Sequence, residues 1–180
     1  MNYIYIGDIV NTHGLKGELR IISDFKYKEK VFKVSLNGNF SCPNRDGKIS
    51  TKGCIFCSAK GSGDFAGNVN LSIKDQFYEV AQNLEKKWPN GAYIAYFQAN
   101  TNTYGPLDKL KKAWEEALTY ENVVGINIST RPDSIDEDCY NYLEGLNKKT
   151  DLVVELGLQT IHEKTSKLIN RCHSLECFED

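Results

Sequence analysis

Three cysteines fall together in one polar stretch: Cys42 opens Cys-Pro-Asn-Arg-Asp-Gly, while Cys54 and Cys57 close Gly-Cys-Ile-Phe-Cys. Two cysteines separated by two residues can chelate one metal or one edge of a cluster, and a flexible loop lets Cys42 swing in as a third ligand. A closed structural zinc site wants four ligands, usually as two close pairs, and Cys42 has no near partner. His162, His173, Cys139, Cys172 or Cys177 would have to complete such a site from far along the chain, so a structural zinc-binding module stands as an alternative. Three thiolates on a four-iron cluster instead leave one iron open, and an open position is what a catalytic metal site requires.

The rest of the composition narrows the setting. The 180 residues suffice for one principal domain, and a net charge of −2 gives no footprint of a dedicated nucleic-acid binder. No apolar run approaches the roughly 20 residues that cross a bilayer, and Met1 is followed by Asn2-Tyr3-Ile4-Tyr5 rather than a charged start and an apolar signal. The expected location is the cytoplasm, where six cysteines are more readily thiols or metal ligands than disulfides.

The cysteines must be positioned by something, and periodicity says what. Asn37 to Gly67 is rich in Gly, Ser, Asn and Asp and reads as a long loop after a strand, Phe32 to Leu36. Helical spacing follows at Ile73, Phe77, Val80, Ala81 and Leu84, stopped by Trp88-Pro89-Asn90-Gly91, and then a strand, Tyr93 to Gln98. The alternation repeats with a helix carrying Leu107, Leu110, Trp114, Ala117 and Leu118, a strand Val123 to Ile128, and a turn at Arg131-Pro132-Asp133. A helix with Ile135, Cys139, Leu143 and Leu146 inward, a strand Leu152 to Leu156, and a short helix near Glu163 to Ile169 complete it. Short, nearly continuous apolar strands with helical crossovers indicate a parallel sheet covered on its outer face, of the α/β class. In such units ligands gather at the carboxyl ends of the strands, where Asn37–Gly67, Asn100–Thr103, Thr130–Asp133 and Gln159-Thr160 all fall. Tyr3 to Phe25 does not fit this pattern: it reads as a β-hairpin turning at Thr12 to Gly17.

From Lys33 onward the chain resembles the radical S-adenosylmethionine superfamily, and most closely its YhcC-type branch. The matching text is KVSLNGNFSCPNRDG, GCIFCSAKGSGDFAG, YIAYFQANTNTYGPLDKL, VVGINISTRPD and VELGLQTIHEKTSKLINR, about four fifths of the chain. The eleven residues between Cys42 and Cys54 exceed the superfamily's usual short spacing but are what this branch shows. The resemblance implies an enzyme with a partial (β/α) barrel, of which about four βα units are present. It implies a [4Fe-4S] cluster on Cys42, Cys54 and Cys57, and S-adenosylmethionine cleaved to a 5′-deoxyadenosyl radical for hydrogen abstraction from an unknown substrate. By position, Phe56 is similar to the aromatic residue near the adenine, and Gln98 and the turn from Asn100 to Thr103 fall where the cofactor's amino group is commonly held. Arg131 is placed to meet its carboxylate, and Glu155 and Gln159 fall where related enzymes contact the ribose or methionine portion. Implied partners are an electron donor of the flavodoxin or ferredoxin type and a substrate whose class stays open, RNA included, with no membrane.

Residues 1 to about 27, with YIYIGDIVNTHGLKGELRIISDF, resemble the opening of the RimM-type ribosome maturation factor. The domain reading is therefore a RimM-like β-hairpin fragment over 1–27 and the N-terminal part of a radical S-adenosylmethionine core over 28–180, joined at Glu29-Lys30-Val31-Phe32-Lys33, which suits both. A ribosome-maturation fragment is thus a further alternative function. A lone hairpin cannot bury its apolar face, so a ribosomal partner is not expected from it. The superfamily's cores usually continue with two more strands beyond the fourth, which implies that this chain by itself takes up a cluster but binds the cofactor weakly.

Overall fold

The structure, a computed structural model, describes residues 8–13, 18–22 and 30–179. The chain divides into two compact units, residues 1–30 and 31–180. In the first, β1 (Asp8–His13) pairs antiparallel with β2 (Glu18–Ile22), with an irregularity between Ile9 and Asn11. The remainder of the stretch from Tyr3 to Phe25, including most of the expected turn, lies outside the described residues.

The second unit is a four-stranded parallel sheet in the order β3 (Val31–Leu36), β4 (Ala92–Phe97), β5 (Val123–Thr130), β6 (Asp151–Leu156). Helices α1 (Ile73–Lys87), α2 (Leu107–Leu118) and α3 (Glu137–Asn147) make the crossovers, and α4 (Glu163–Leu168) and α5 (Glu176–Glu179) follow β6. Strand order that runs with the sequence, without a reversal, is the winding of a barrel and not of a doubly wound sheet. With four βα units the result is a partial (β/α) barrel.

The period of two along each strand sorts the side chains between two faces. Val34, Leu36, Ala95, Phe97, Ile126 and Ile128 are fully buried against Phe77, Leu110, Trp114, Ala117, Cys139, Leu143 and Leu146 from the helices. The opposite face carries Lys33, Tyr96, Asn127, Ser129 and Glu155, and is polar because it is not packed by helices. Among the described residues β6 forms the edge of the sheet, and Val153 is half exposed although apolar because it lies on the same uncovered face as Glu155, whereas Leu152 and Val154 pack on the core.

Three local features differ from the sequence reading. Ile135 precedes α3 instead of lying within it, because Asp136 caps the helix by accepting from Cys139 N at 2.8 Å. Strand β5 runs two residues beyond Ile128, because Ser129 and Thr130 still pair with Glu155 and Leu156 of β6. Gln76, on the inner side of α1 among apolar neighbours, is buried and holds both ends of the long loop. It accepts from Asn37 N at 2.8 Å and donates to Asn37 O and Leu71 O, each at 3.1 Å. No helix among the described residues is long and apolar enough to cross a membrane.

Trp114 has no exposed surface and stacks on Tyr142 with ring centroids 6.0 Å apart. Trp114→Ala should lower the unfolding free energy by about 3–5 kcal/mol, read as a shifted denaturant midpoint of the iron-free protein.

Candidate functional site

Parallel strands finish at one edge, and the connections leaving that edge enclose a cavity of about 330 Å³. Its wall is made by residues just past the ends of β4, β5 and β6 and by the cysteine loop. All nine residues singled out from the sequence line it: Cys42, Cys54, Phe56, Cys57, Gln98, Asn100, Arg131, Glu155 and Gln159.

The loop from Cys42 to Cys57 is shaped by its own backbone. Arg45 N and Asp46 N both donate to Cys42 O, Gly53 N donates to Asn44 O at 2.7 Å, and Cys57 N donates to Cys54 O at 3.1 Å. Gly53 takes a φ of +69°, a left-handed conformation that suits glycine. Arg45 staples the next turn by donating to Ser58 O and Ala59 O at 2.8 and 3.0 Å. The loop is also fastened to the chain after α4: Ile55 N donates to Ile169 O at 3.0 Å, and Asn170 Nδ2 to Gly53 O at 2.6 Å. At the far side Gly61 approaches Asn100 so closely that a Cβ there would lie 2.0 Å from Asn100 Oδ1. No larger residue fits that contact without a shift.

All six cysteines are free thiols. Cys54 donates to Cys57, which lowers the Cys57 thiol to about 6 against the opposing effect of burial, with Ser62 and the charges of Arg45 and Arg131 assisting. The same bond, with burial, pushes the Cys54 thiol up. Burial alone, with Asp136 nearby, raises Cys139 to about 11, as suits a core thiol. Among the described residues no three His, Cys, Asp or Glu groups converge on a point that would hold a single ion. A four-iron cluster takes each thiolate at a separate iron and does not ask for that convergence. Three thiols on one cavity wall, one of them held toward its thiolate, are a donor set that fits such a cluster.

The remaining predicted residues divide by what they touch. Gln98 is partly exposed and lies immediately after β4, and Asn100, at φ +63°, donates its N–H to Gly61 O at 2.8 Å. Asn102 and Thr103 of the same turn point inward. Asn102 donates to Phe97 O and Ser129 O, and Thr103 bonds Thr130 and donates to Ser134 O, so these two peg the turn to the fold. Arg131, 8% exposed, has its fork on Asp133 at 2.8 and 2.6 Å and donates to Arg171 O at 2.8 Å. Arg131 does not pair with Glu155. Glu155 instead accepts from Lys33 at 2.6 Å, Tyr96 at 2.9 Å, Ser129 at 2.9 Å and Asn127 at 3.1 Å. Burial pushes its carboxyl up, but the donors Lys33, Tyr96 and Ser129 together outweigh that and hold it below the usual carboxylate range. Gln159 sits exposed at φ +66°, and Phe56 is 46% exposed at the rim.

Sequence reasoning missed Asn44 and Arg171, and weighed His173 only as a distant zinc ligand. Arg171 is buried and ties together Leu158 O, Thr160 O and His173 O. His173 Nε2 lies 3.1 Å from Gly157 O, and burial lowers its pKa. For Arg171 and His173 the signal was faint, because a run of polar residues after a short helix looks like a surface turn, and Asn44 reads as one more polar residue of the cysteine loop.

This arrangement of a parallel partial barrel with three thiols at its carboxyl edge defines a class, and comparison with known proteins agrees. The family model described as "Radical SAM superfamily" matches residues 46–180, and the chain belongs to that family. The match begins after Cys42 and includes Cys54 and Cys57. The chain is 52% identical over 152 residues to the uncharacterized protein YtqA of Bacillus subtilis, covering 84% of this chain and 47% of the relative. It is 37% identical over 155 residues to the protein YhcC of Escherichia coli, covering 86% and 49%. The chain thus spans about half the length of these curated relatives. A partial similarity to the ribosome maturation factor RimM of Ligilactobacillus salivarius, 34% over 104 residues, covers 52% of this chain and 58% of that protein. This stretch is longer than the 27 or so residues in which the sequence shows the likeness.

In the iron-free protein, Cys57 should react with iodoacetamide at lower pH than Cys54 and Cys139, whose thiols are raised. Peptide mapping across a pH series reads this directly, and equal labelling of all three near pH 6 would refute it.

Proposed function

We propose that Cys42, Cys54 and Cys57 hold a [4Fe-4S] cluster and that the cavity beside them binds S-adenosylmethionine, for hydrogen abstraction from a substrate still to be identified. One observation carries this reading: three thiols and the six polar or aromatic residues implied to meet the cofactor all line one cavity at the carboxyl edge of the sheet. When bound, the reduced cluster would supply one electron to the cofactor's sulfonium, the chemistry that would release methionine and an adenosyl radical.

The chain's own residues bind and orient. Cys42, Cys54 and Cys57 would hold the cluster, and a trio of ligands on four irons would leave a position for the cofactor. Gln98 and Asn100, just beyond β4, offer carboxamide groups to the amine. Arg131 brings positive charge to the wall while Asp133 fixes its fork, so its direction is set before any ligand arrives. Glu155, kept ionised by its donors, is suited to accept hydrogen bonds from the ribose hydroxyls. Gln159 flanks it, and Phe56 offers a flat apolar surface to the adenine. The reductant would be a small electron-transfer protein of the flavodoxin or ferredoxin type, and reduced thiols fit a cytoplasmic setting.

Anaerobically reconstituted protein, treated with dithionite and S-adenosylmethionine, should release 5′-deoxyadenosine. Cys42→Ala, Cys54→Ala or Cys57→Ala should each abolish it, and Cys139→Ala should not. Gln98→Ala should weaken S-adenosylmethionine binding about tenfold, the effect of one lost hydrogen bond. Tight binding of zinc without visible absorption, and no release, would favour the zinc module instead.

A further inference from the structure

Asn44 is fully buried, two residues after Cys42 and ten before Cys54. Its Nδ2 donates to Asn170 O at 2.6 Å and to Cys54 Sγ at 3.3 Å. Its Oδ1 has no hydrogen-bond partner. The orientation of the amide follows from its surroundings: sulfur and carbonyl are both acceptors, so turning the group over would aim an oxygen at each and lose both bonds. The site therefore keeps an N–H on sulfur even though the other end of the amide stays unpaired, an arrangement that buried polar groups seldom show.

Holding the loop in place does not account for this. Ile55 N to Ile169 O and Asn170 Nδ2 to Gly53 O already tie the same two segments, and Gly53 N to Asn44 O closes the loop through the backbone. The bond to sulfur is the part left over. It is also asymmetric. Apart from the neighbouring Cys54 thiol, Cys57 Sγ receives a long bond of 3.5 Å from Ser62, an exposed residue where water competes, and among the described residues no hydrogen bond reaches Cys42 Sγ.

We propose that Asn44 is a positioning residue that sets the reduction potential of the cluster by donating an N–H to Cys54 Sγ. This rests on the reading that Cys42, Cys54 and Cys57 hold a cluster. A cluster that gains an electron places more negative charge on its cysteine sulfurs, so a buried donor aimed at one of them stabilises the reduced form more than the oxidised form. Removing that donor must make the cluster harder to reduce.

The test is Asn44→Leu, close in size and without a donor, reconstituted beside the wild type and followed by redox titration with electron paramagnetic resonance. The expected result is an unchanged count of four irons and a midpoint displaced to more negative potential. Should the leucine variant fail to fold, Asn44→Ser, whose hydroxyl is too short to span to the sulfur, is expected to show the same displacement. An unchanged midpoint in a loaded variant would overturn the role of Asn44 alone. A wild-type protein that takes up no cluster would overturn the cluster reading and this role with it.

Discussion

Leu36, Phe97, Ile128 and Val154 are successive register partners across the four parallel strands, so the strands end nearly in step. Everything that can do chemistry lies within a few residues of that row or on the loop that leaves it. Alternation then decides the environment of each group. The row itself packs on the helices, and the neighbours Tyr96, Ser129 and Glu155 face the other way, where helices do not cover them. The same hydrogen-bonded ladder thus builds an apolar core on one face and a polar, solvent-reached surface on the other. Only at the carboxyl edge do the two meet.

The 36 residues between β3 and α1 have no regular structure, so their shape depends on buried polar anchors. Gln76 holds the two ends, Asn102 holds the opposite wall by bonding carbonyls of two strands, and Asn44 joins the cysteine turn to the residues after α4. Each is a carboxamide with almost no exposed surface. Neutral donors and acceptors of this kind fix backbone geometry without adding a charge that would need desolvation. Two charged groups line the cavity with partners outside its lining: Arg131, whose fork is held by Asp133, and Glu155, which accepts from Lys33.

The cysteine trio could be singled out by residue type and spacing, which are read directly, and the structure puts all three on one cavity. The strands and helices were legible because periodicity reports which face is buried. What periodicity cannot report is a polar residue in a buried role. Gln76 interrupts no pattern, Asn102 and Thr103 looked like ligands with Asn100 but turn inward, and Arg131 proved to be satisfied by Asp133, two residues away. The half-exposed Val153 shows the converse error, since an apolar strand reads as covered whether or not something covers it. Resemblance supplied the residues proposed to face the cofactor, and the shared cavity is what gives them a common location.

The central claim is that three thiolates leave one iron of the cluster free for the cofactor. Mössbauer spectroscopy of protein reconstituted with iron-57 addresses it most directly, because the irons are resolved by their ligands. One of the four iron sites should change its parameters when S-adenosylmethionine is added, with the other three undisturbed. Four sites that stay equivalent with the cofactor present, or a protein that holds no four-iron cluster, would contradict the account.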